Sequence, residues 1–166
     1  MKLLLLFCML FTKPVQSPDT GLVEIRSLYA QAANDKSASE KLAAVLSKID
    51  TTSLPVFICY KGASEMIKAK YLINPLNKMG KFNAGKTLIE LAVKHDPENI
   101  EVRFVRFCIQ VNLPAFLKYD NIADDKKYLI DHVNHVDDND LKNNIINFLS
   151  NPKYCTAEEI ERIKGQ

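Results

Sequence analysis

The sequence has no tryptophan, only five glycines in 166 residues, and four cysteines, none of them in a Cys-x-x-Cys pair. Each shortage removes a class of chemistry. Unpaired cysteines supply neither a thioredoxin-type redox motif nor a cysteine-rich zinc site. No Gly-x-Ser-x-Gly elbow presents a serine nucleophile, no dinucleotide fingerprint is present, and no His-Glu-x-x-His pair marks a metalloprotease. Two of the glycines, Gly62 and Gly85, fall inside predicted helices, where close helix–helix approach accounts for both, so no phosphate-cradling glycine loop is expected. No cofactor is expected either, and the chain reads as non-enzymatic. With 47% apolar and 25% charged residues, a disordered tail, a collagen-like repeat and a multi-span membrane protein are excluded. What remains is one globular domain with enough chain to bury a sizeable core.

Near the start, Lys2 is followed by nine apolar residues, Leu3 to Phe11. So short a run cannot cross a bilayer as a helix, which takes about 20 residues. Thr12, Lys13 and Pro14 end it, and Val15-Gln16-Ser17 offers modest side chains beyond. This is the pattern of a secretory signal peptide over residues 1–17; the other reading of a short apolar run is a buried N-terminal helix. With a signal peptide, residues 18–166 form a single helical domain that is periplasmic or secreted, with no transmembrane segment after signal removal. Its charge changes too. The whole chain carries a formal +2, and loss of Lys2 and Lys13 leaves a neutral domain, so the pI near 8.3 is no argument for an anionic partner. Of the cysteines beyond residue 17, Cys59 and Cys108 lie in apolar runs and read as small buried hydrophobes. A bridge between them stays open if their helices touch, and Cys155 is then left over.

Helix starts are written in capping chemistry. Ser37 with Glu40 and Thr156 with Glu159 fit the capping box. Asn74-Pro75 and Asp96-Pro97 each put a capping side chain before a proline at the first helical position, and Asp138 is a further start. Apolar residues recur at helical spacing at Leu42, Val45, Leu46 and Ile49, at Leu88, Leu91 and Ala92, at Leu129, Ile130 and Val133, and at Ile145, Ile146, Phe148 and Leu149. Helices are predicted near 20–33, 37–49, 54–73, 75–95, 97–111, 121–136, 139–149 and 156–164. Val56 to Tyr60 has strand propensity, but Ala63, Met66, Ile67 and Ala69 continue it at helical period. Short connections make neighbouring helices antiparallel. The predicted class is all-α, a bundle of about seven to eight antiparallel helices.

Two resemblances follow. Gly85, Ile89, Ala92 and Pro97, with the turn His95-Asp96-Pro97-Glu98-Asn99, resemble the second helix and inter-repeat turn of a tetratricopeptide repeat (TPR). The likeness covers about fifteen residues of a roughly 34-residue period, and Arg103 and Arg106 stand where that repeat has large apolar residues. It implies a TPR-like helical stack rather than a regular array. Tyr60-Lys61-Gly62-Ala63, Asn74-Pro75 with Lys78, and Glu101, Arg103-Phe104, Arg106-Phe107, Gln110, Asn112, Pro114, Phe116-Leu117 and Tyr119 resemble a family of short, secreted, uncharacterised helical proteins of Gram-negative bacteria. That likeness implies compartment and fold and carries no activity with it.

The most informative segment is 97–111. Val102, Phe104, Val105, Phe107, Cys108, Ile109 and Val111 make it apolar around most of its circumference, which predicts a central helix. Against this, Arg103, Arg106 and Gln110 fall at i, i+3 and i+7 and share one polar seam. Guanidinium groups beside buried surface need partners. Glu65, Glu101 or an aspartate of the acidic C-terminal third can supply them. Otherwise Arg103, Arg106 and Gln110, with Lys61 and Glu65, line a cleft whose guanidinium forks hold a carboxylate or phosphate. His132 and His135, three apart near Asp131, Asp137 and Asp138, have the spacing of two metal ligands, but solvent-facing histidines near a helix end explain them as well. The Asp137-Asp138-Asn139-Asp140 run lacks a calcium loop's glycine and terminal glutamate and reads as a cap.

Charge is also segregated. Residues 60–86 hold six lysines and one acid, and residues 119–141 hold seven aspartates and two lysines. The lysine stretch lacks the arginines and exposed aromatics that grip nucleic acid, so no nucleic-acid partner is expected. The leading expectation is a module that binds a protein or peptide partner through a TPR-like groove. Its rivals are a small anionic ligand binder or unrecognised hydrolase using the Arg103/Arg106/Gln110 cleft, and a passive subunit of an envelope assembly. An open groove with satisfied arginines would favour the first; an enclosed pocket with free arginines would favour the second.

Overall fold

The computed structural model describes residues 18–165. Residues 1–17, read above as a signal peptide and including Cys8, lie outside the described residues. The described chain is all-helical, with no strand. Its eight α-helices are α1 (Pro18–Ala32), α2 (Lys36–Val45), α3 (Pro55–Lys70), α4 (Pro75–His95), α5 (Ile100–Gln110), α6 (Ile122–His132), α7 (Asn139–Leu149) and α8 (Ala157–Lys164). Short 3₁₀ turns extend α2 over Leu46–Lys48 and α6 over Val133–His135, and a third lies at Ala115–Leu117 in the connection before α6. Val56 to Tyr60 is helical, as its continuation predicts.

Three of the five predicted caps form. Asn74 accepts from the Leu76 and Asn77 amides, Asp138 from those of Asp140 and Leu141, and Thr156 makes the full reciprocal box with Glu159. Two are corrected. Asp35, not Ser37, caps α2 by accepting the Ser37 amide, because the helix begins two residues earlier than the box places it. Asp96 closes α4 instead of opening α5; it accepts from the Asn99 side chain, and Asn99 is the residue that caps α5. The turn after α4 therefore runs through Pro97.

The helices bury two hydrophobic clusters that meet at α5. The first takes Ile25, Leu42, Leu46, Ile58, Cys59, Ile89, Val102 and Val105 from α1–α5. The second takes Phe107, Leu129, Ile130, Val133, Ile145, Leu149 and Ile163, drawn from α5–α8. The residue spacing of α5 explains the division. At 3.6 residues per turn, Val102, Val105 and Ile109 share one face, and Ile100, Phe104, Phe107 and Val111 share the opposite one. An apolar circumference on one short helix thus becomes two faces, each committed to a different core, and α5 is central as predicted.

The closest helix pair is the α3–α4 hairpin. Gly62 and Gly85 face each other across it; a Cβ built on Gly85 would stand 2.5 Å from the Gly62 carbonyl oxygen, and one on Gly62 would stand 2.7 Å from the Gly85 oxygen. No side chain fits there, so both glycines serve the close approach expected of them. The pairings Glu65–Lys81 and Gly62–Gly85 run in opposite senses along the two helices, so the hairpin is antiparallel. All three cysteines of the described chain are free thiols. Cys59 is fully buried, with its thiol directed at the Val102 carbonyl oxygen 3.7 Å away, and burial pushes it well above the ordinary thiol range. A protonated, enclosed thiol of this kind is a packing residue.

Candidate functional site

Between its two apolar faces α5 has two edges, and each is sealed by a charged network. Along one edge run Arg103, Arg106 and Gln110. Asp125, on α6, is wholly buried and lies between the two arginines. Arg106 grips it with both prongs of its fork, Nε to Oδ2 and Nη2 to Oδ1, each at 2.7 Å. Arg103 donates to the same Oδ1 at 3.0 Å. The third nitrogen of Arg106 reaches Glu90 on α4 at 3.0 Å, and the Tyr119 hydroxyl donates to that carboxylate at 2.7 Å. Arg103 also donates to the Pro97 carbonyl at 2.6 Å and lies over the Tyr128 ring. Burial alone would lower the Arg106 pKa; the hydrogen bonds and charges of Asp125 and Glu90 more than offset it and hold the guanidinium charged. One aspartate of the acidic third therefore satisfies both arginines, as one of the sequence readings anticipated.

Gln110 is buried at the end of this seam. Its amide nitrogen makes a long 3.4 Å contact to Asn121, and its Oε1 has no partner among the described residues. Lys61 and Glu65 engage elsewhere. Lys61 donates to the Ile49 carbonyl, and Glu65 accepts from Lys68 at 2.8 Å and from Lys81. Burial would raise Glu65, but its two lysines outweigh this and hold it below the usual carboxylate range. The five candidate residues thus divide into the α5 seam and two separate anchor points on α3.

The other edge of α5 carries Glu101, buried and gripped by Arg26 of α1 through Nε and Nη2 at 2.6 and 2.7 Å. Tyr60 of α3 donates to Glu101 at 2.8 Å. The free prong of Arg26 reaches Asp138, the cap of α7, at 2.7 Å. The guanidinium ties α1 to α5 and to the cap of α7, with α3 joined through Tyr60 and Glu101, and its pKa is raised first by the Glu101 hydrogen bond against the opposing effect of burial. Arg26 carried no sequence signal. It lies at a helical spacing from Leu22 and Tyr29, and its partners are 75 and 112 residues away.

Above Arg26 lies a depression of about 300 Å³ between α1 and α7, with Val23, Ser27 and Ala30 on one wall and Asp140, Asn143 and Asn144 on the other. These six residues are exposed, so the depression is open to solvent. The 23, 26/27, 30 and 140, 143/144 spacings are one face of each helix. The groove is floored by the Arg26 network and walled by the Ser27 hydroxyl, the Asn143 and Asn144 carboxamides and the Asp140 carboxylate, donors and acceptors that suit hydrogen bonding to a polypeptide.

Asp138 predicts a pH response. The Leu141 amide first, then Arg26, hold its carboxyl below the ordinary Asp value of 3.8. Folded Asp138 binds a proton less readily than unfolded Asp138, so acid favours unfolding. Its contribution is complete well above pH 4 and is lost as the pH falls through the lower folded value. The acid limb of stability against pH is expected to flatten in Asp138→Asn, a change that urea midpoints measured between neutral pH and roughly pH 3 would register.

His132 and His135 are both exposed. The His132 ring stacks on Tyr128 at 4.0 Å, with Nδ1 against the Tyr128 carbonyl at 2.8 Å. Among the described residues no three His, Cys, Asp or Glu side chains are grouped to hold a metal. One pattern escaped the sequence reading: residues 80–87, Gly-Lys-Phe-Asn-Ala-Gly-Lys-Thr, spell the G-x-x-x-x-G-K-T of a phosphate loop. A phosphate loop needs a strand before it and free backbone N–H groups. Here the eight residues lie within α4, their amides spent on the helix and Gly85 spent on Gly62, so the match is without its structural context. Compared with protein-family models, curated proteins and solved structures, the chain matches none.

Proposed function

We propose that this protein is a non-catalytic, TPR-like helical module, periplasmic or secreted, that takes a protein or peptide partner along the α1–α7 groove. The observation that carries the reading is the internal pairing of the two α5 arginines. All three nitrogens of Arg106 are taken up by Asp125 and Glu90, and Arg103 is held by Asp125 and the Pro97 carbonyl, which supports reading both as internal struts. The depression between α1 and α7 is open, with Val23, Ser27, Ala30, Asn143 and Asn144 along its walls, Asp140 as the one charged wall residue and the paired Arg26 beneath. The α3–α4 hairpin, with its glycine-mediated contact, is the unit that resembles a TPR pair.

Comparative affinity capture from an envelope fraction tests this. Wild type and the exposed-site variants Ser27→Arg and Asn144→Arg serve as baits. A partner retained by wild type is expected to fall at least about tenfold with either variant, the effect of blocking an interface centre. Equal capture by all three baits would overturn the assignment to this groove. So would phosphate or a dicarboxylate raising the melting temperature of wild type but not of Arg103→Met.

A further inference from the structure

The turn of the α3–α4 hairpin is the most exposed apolar feature of the described chain. Residues 73–80 are all exposed, eight in succession. Within them Ile73 is 96% exposed and Leu76 82%, and Met79 lies one turn further along α4 at 44%. Side chains this open stand proud of the surface and line no groove. Leu76 and Met79, at i and i+3, share a face of α4, and Ile73 precedes them at the turn. Isolated exposed aliphatics need no explanation, but three on one apex form a protruding patch.

The charge around the apex has one sign. From Met66 to Ile89 there is no acidic residue, and Lys68, Lys70, Lys78 and Lys81 flank the turn on both helices, while Lys86 lies further along α4 over the Tyr119 ring. Glu65 at the margin takes up Lys68 and Lys81, and Lys70 rests on the Ala33 carbonyl. The charges of Lys68 and Lys81 are thus met by Glu65, and Lys70 and Lys78 carry the charge exposed beside the turn. By contrast, the acidic third spends its ion pairs on Arg26, Arg103, Arg106, Lys127 and Arg162. None of these acids pairs with Lys70 or Lys78, the two exposed lysines beside the apex.

We infer that this apex docks the protein on an anionic phospholipid bilayer, with Ile73, Leu76 and Met79 entering the headgroup–acyl boundary and the lysines meeting lipid phosphates. Charge complementarity selects an anionic surface. Size and shape select a bilayer over a protein. A specific protein interface engages roughly 20–30 residues a side, whereas the apex offers eight and no concavity. A lipid surface moulds around a small protruding wedge, and a few apolar side chains plus lysines suffice for reversible attachment. The inference goes beyond the proposed groove and does not rest on it.

Co-sedimentation of the purified chain with vesicles tests the docking without any protein partner. Wild type is compared with Ile73→Asp, Leu76→Asp and the pair Lys70→Glu/Lys78→Glu, all prepared alike so that the apolar segment Leu3 to Phe11 contributes equally to each. On phosphatidylglycerol–phosphatidylethanolamine vesicles, either aspartate variant is expected to bind at least about tenfold more weakly. The charge-reversal pair is expected to lose the preference over phosphatidylcholine vesicles and the sensitivity to salt. These positions are exposed, so melting temperatures should stay near that of wild type. Variants that bind anionic vesicles as wild type does would overturn the inference. So would a wild type that ignores lipid while Leu76→Asp abolishes its capture of a protein, which would assign the apex to a protein socket.

Discussion

Replacing Asp125 by Ala is expected to cost about 3–5 kcal/mol of folding stability, the loss typical of breaking a buried ion pair from one side. Asp125 has no exposure, and its two oxygens take three guanidinium hydrogen bonds from Arg103 and Arg106. Without it, Arg106 keeps only Glu90, itself partly exposed, and two arginines stay beside apolar surface with unmet donors. Asp125→Asn preserves the shape but removes the charge and one acceptor, so most of the loss should persist. The converse substitution Arg106→Met should cost less, because Arg103 still serves Asp125. Pairing Arg106→Met with Asp125→Leu should restore part of the stability, since a well-packed apolar pair can match a buried ion pair. Urea unfolding followed by circular dichroism reads all four. A loss under about 1 kcal/mol for Asp125→Ala, the value of a surface pair, would show that the seam does not hold α4, α5 and α6 together.

Gly85→Ala is expected to destabilise by about 2 kcal/mol or more, against the usual gain from the same change in a helix. Glycine inside a helix ordinarily costs roughly 0.5–1 kcal/mol relative to alanine. At Gly85 a methyl group would meet the Gly62 carbonyl oxygen and the Met66 Cγ, each at 2.5 Å. The carbonyl belongs to a neighbouring helix backbone and cannot swing aside as a side chain would. The two helices must separate, with the overpacking losses that follow. Gly80, five residues earlier in the same helix, meets nothing within 4 Å, so Gly80→Ala should stabilise by about 0.5–1 kcal/mol. Thermal midpoints of the two variants should move in opposite directions. If both rise, the hairpin has room that its packing does not show.

These opposite signs for one substitution mark where sequence reasoning stops. Helix period was legible at α4, α6 and α7 and the caps at α4, α7 and α8, because apolar spacing and caps are local properties of a few neighbouring residues. Errors at Ser37 and Asp96 had a local cause too. Several capping residues crowd those turns (Asp35 beside Ser37, Asn99 beside Asp96), and which one is used depends on where the chain must turn to pack. The polar seam of α5 was visible from three residues, and the need for an acidic partner followed from the cost of a lone guanidinium. That Asp125 is one partner and Glu90 another was not legible, since nothing local distinguishes them from the other acids. Arg26 was invisible for the same reason: its role is defined by Glu101 and Asp138, far along the chain.

The sequence alone determined an all-helical chain, a central α5, two glycines reserved for close approach, and a basic middle set against an acidic end. The Gly80–Thr87 pattern shows that a motif acquires meaning only from the backbone that carries it. Tertiary structure decided the rest. It turned the apolar circumference of α5 into two faces with two cores, chose Asp125 and Glu90 as the partners of its arginines, and left Ile73, Leu76 and Met79 uncovered. The physical reason is common to all three. Burial and pairing are properties of distance in space, and a sequence records only distance along the chain.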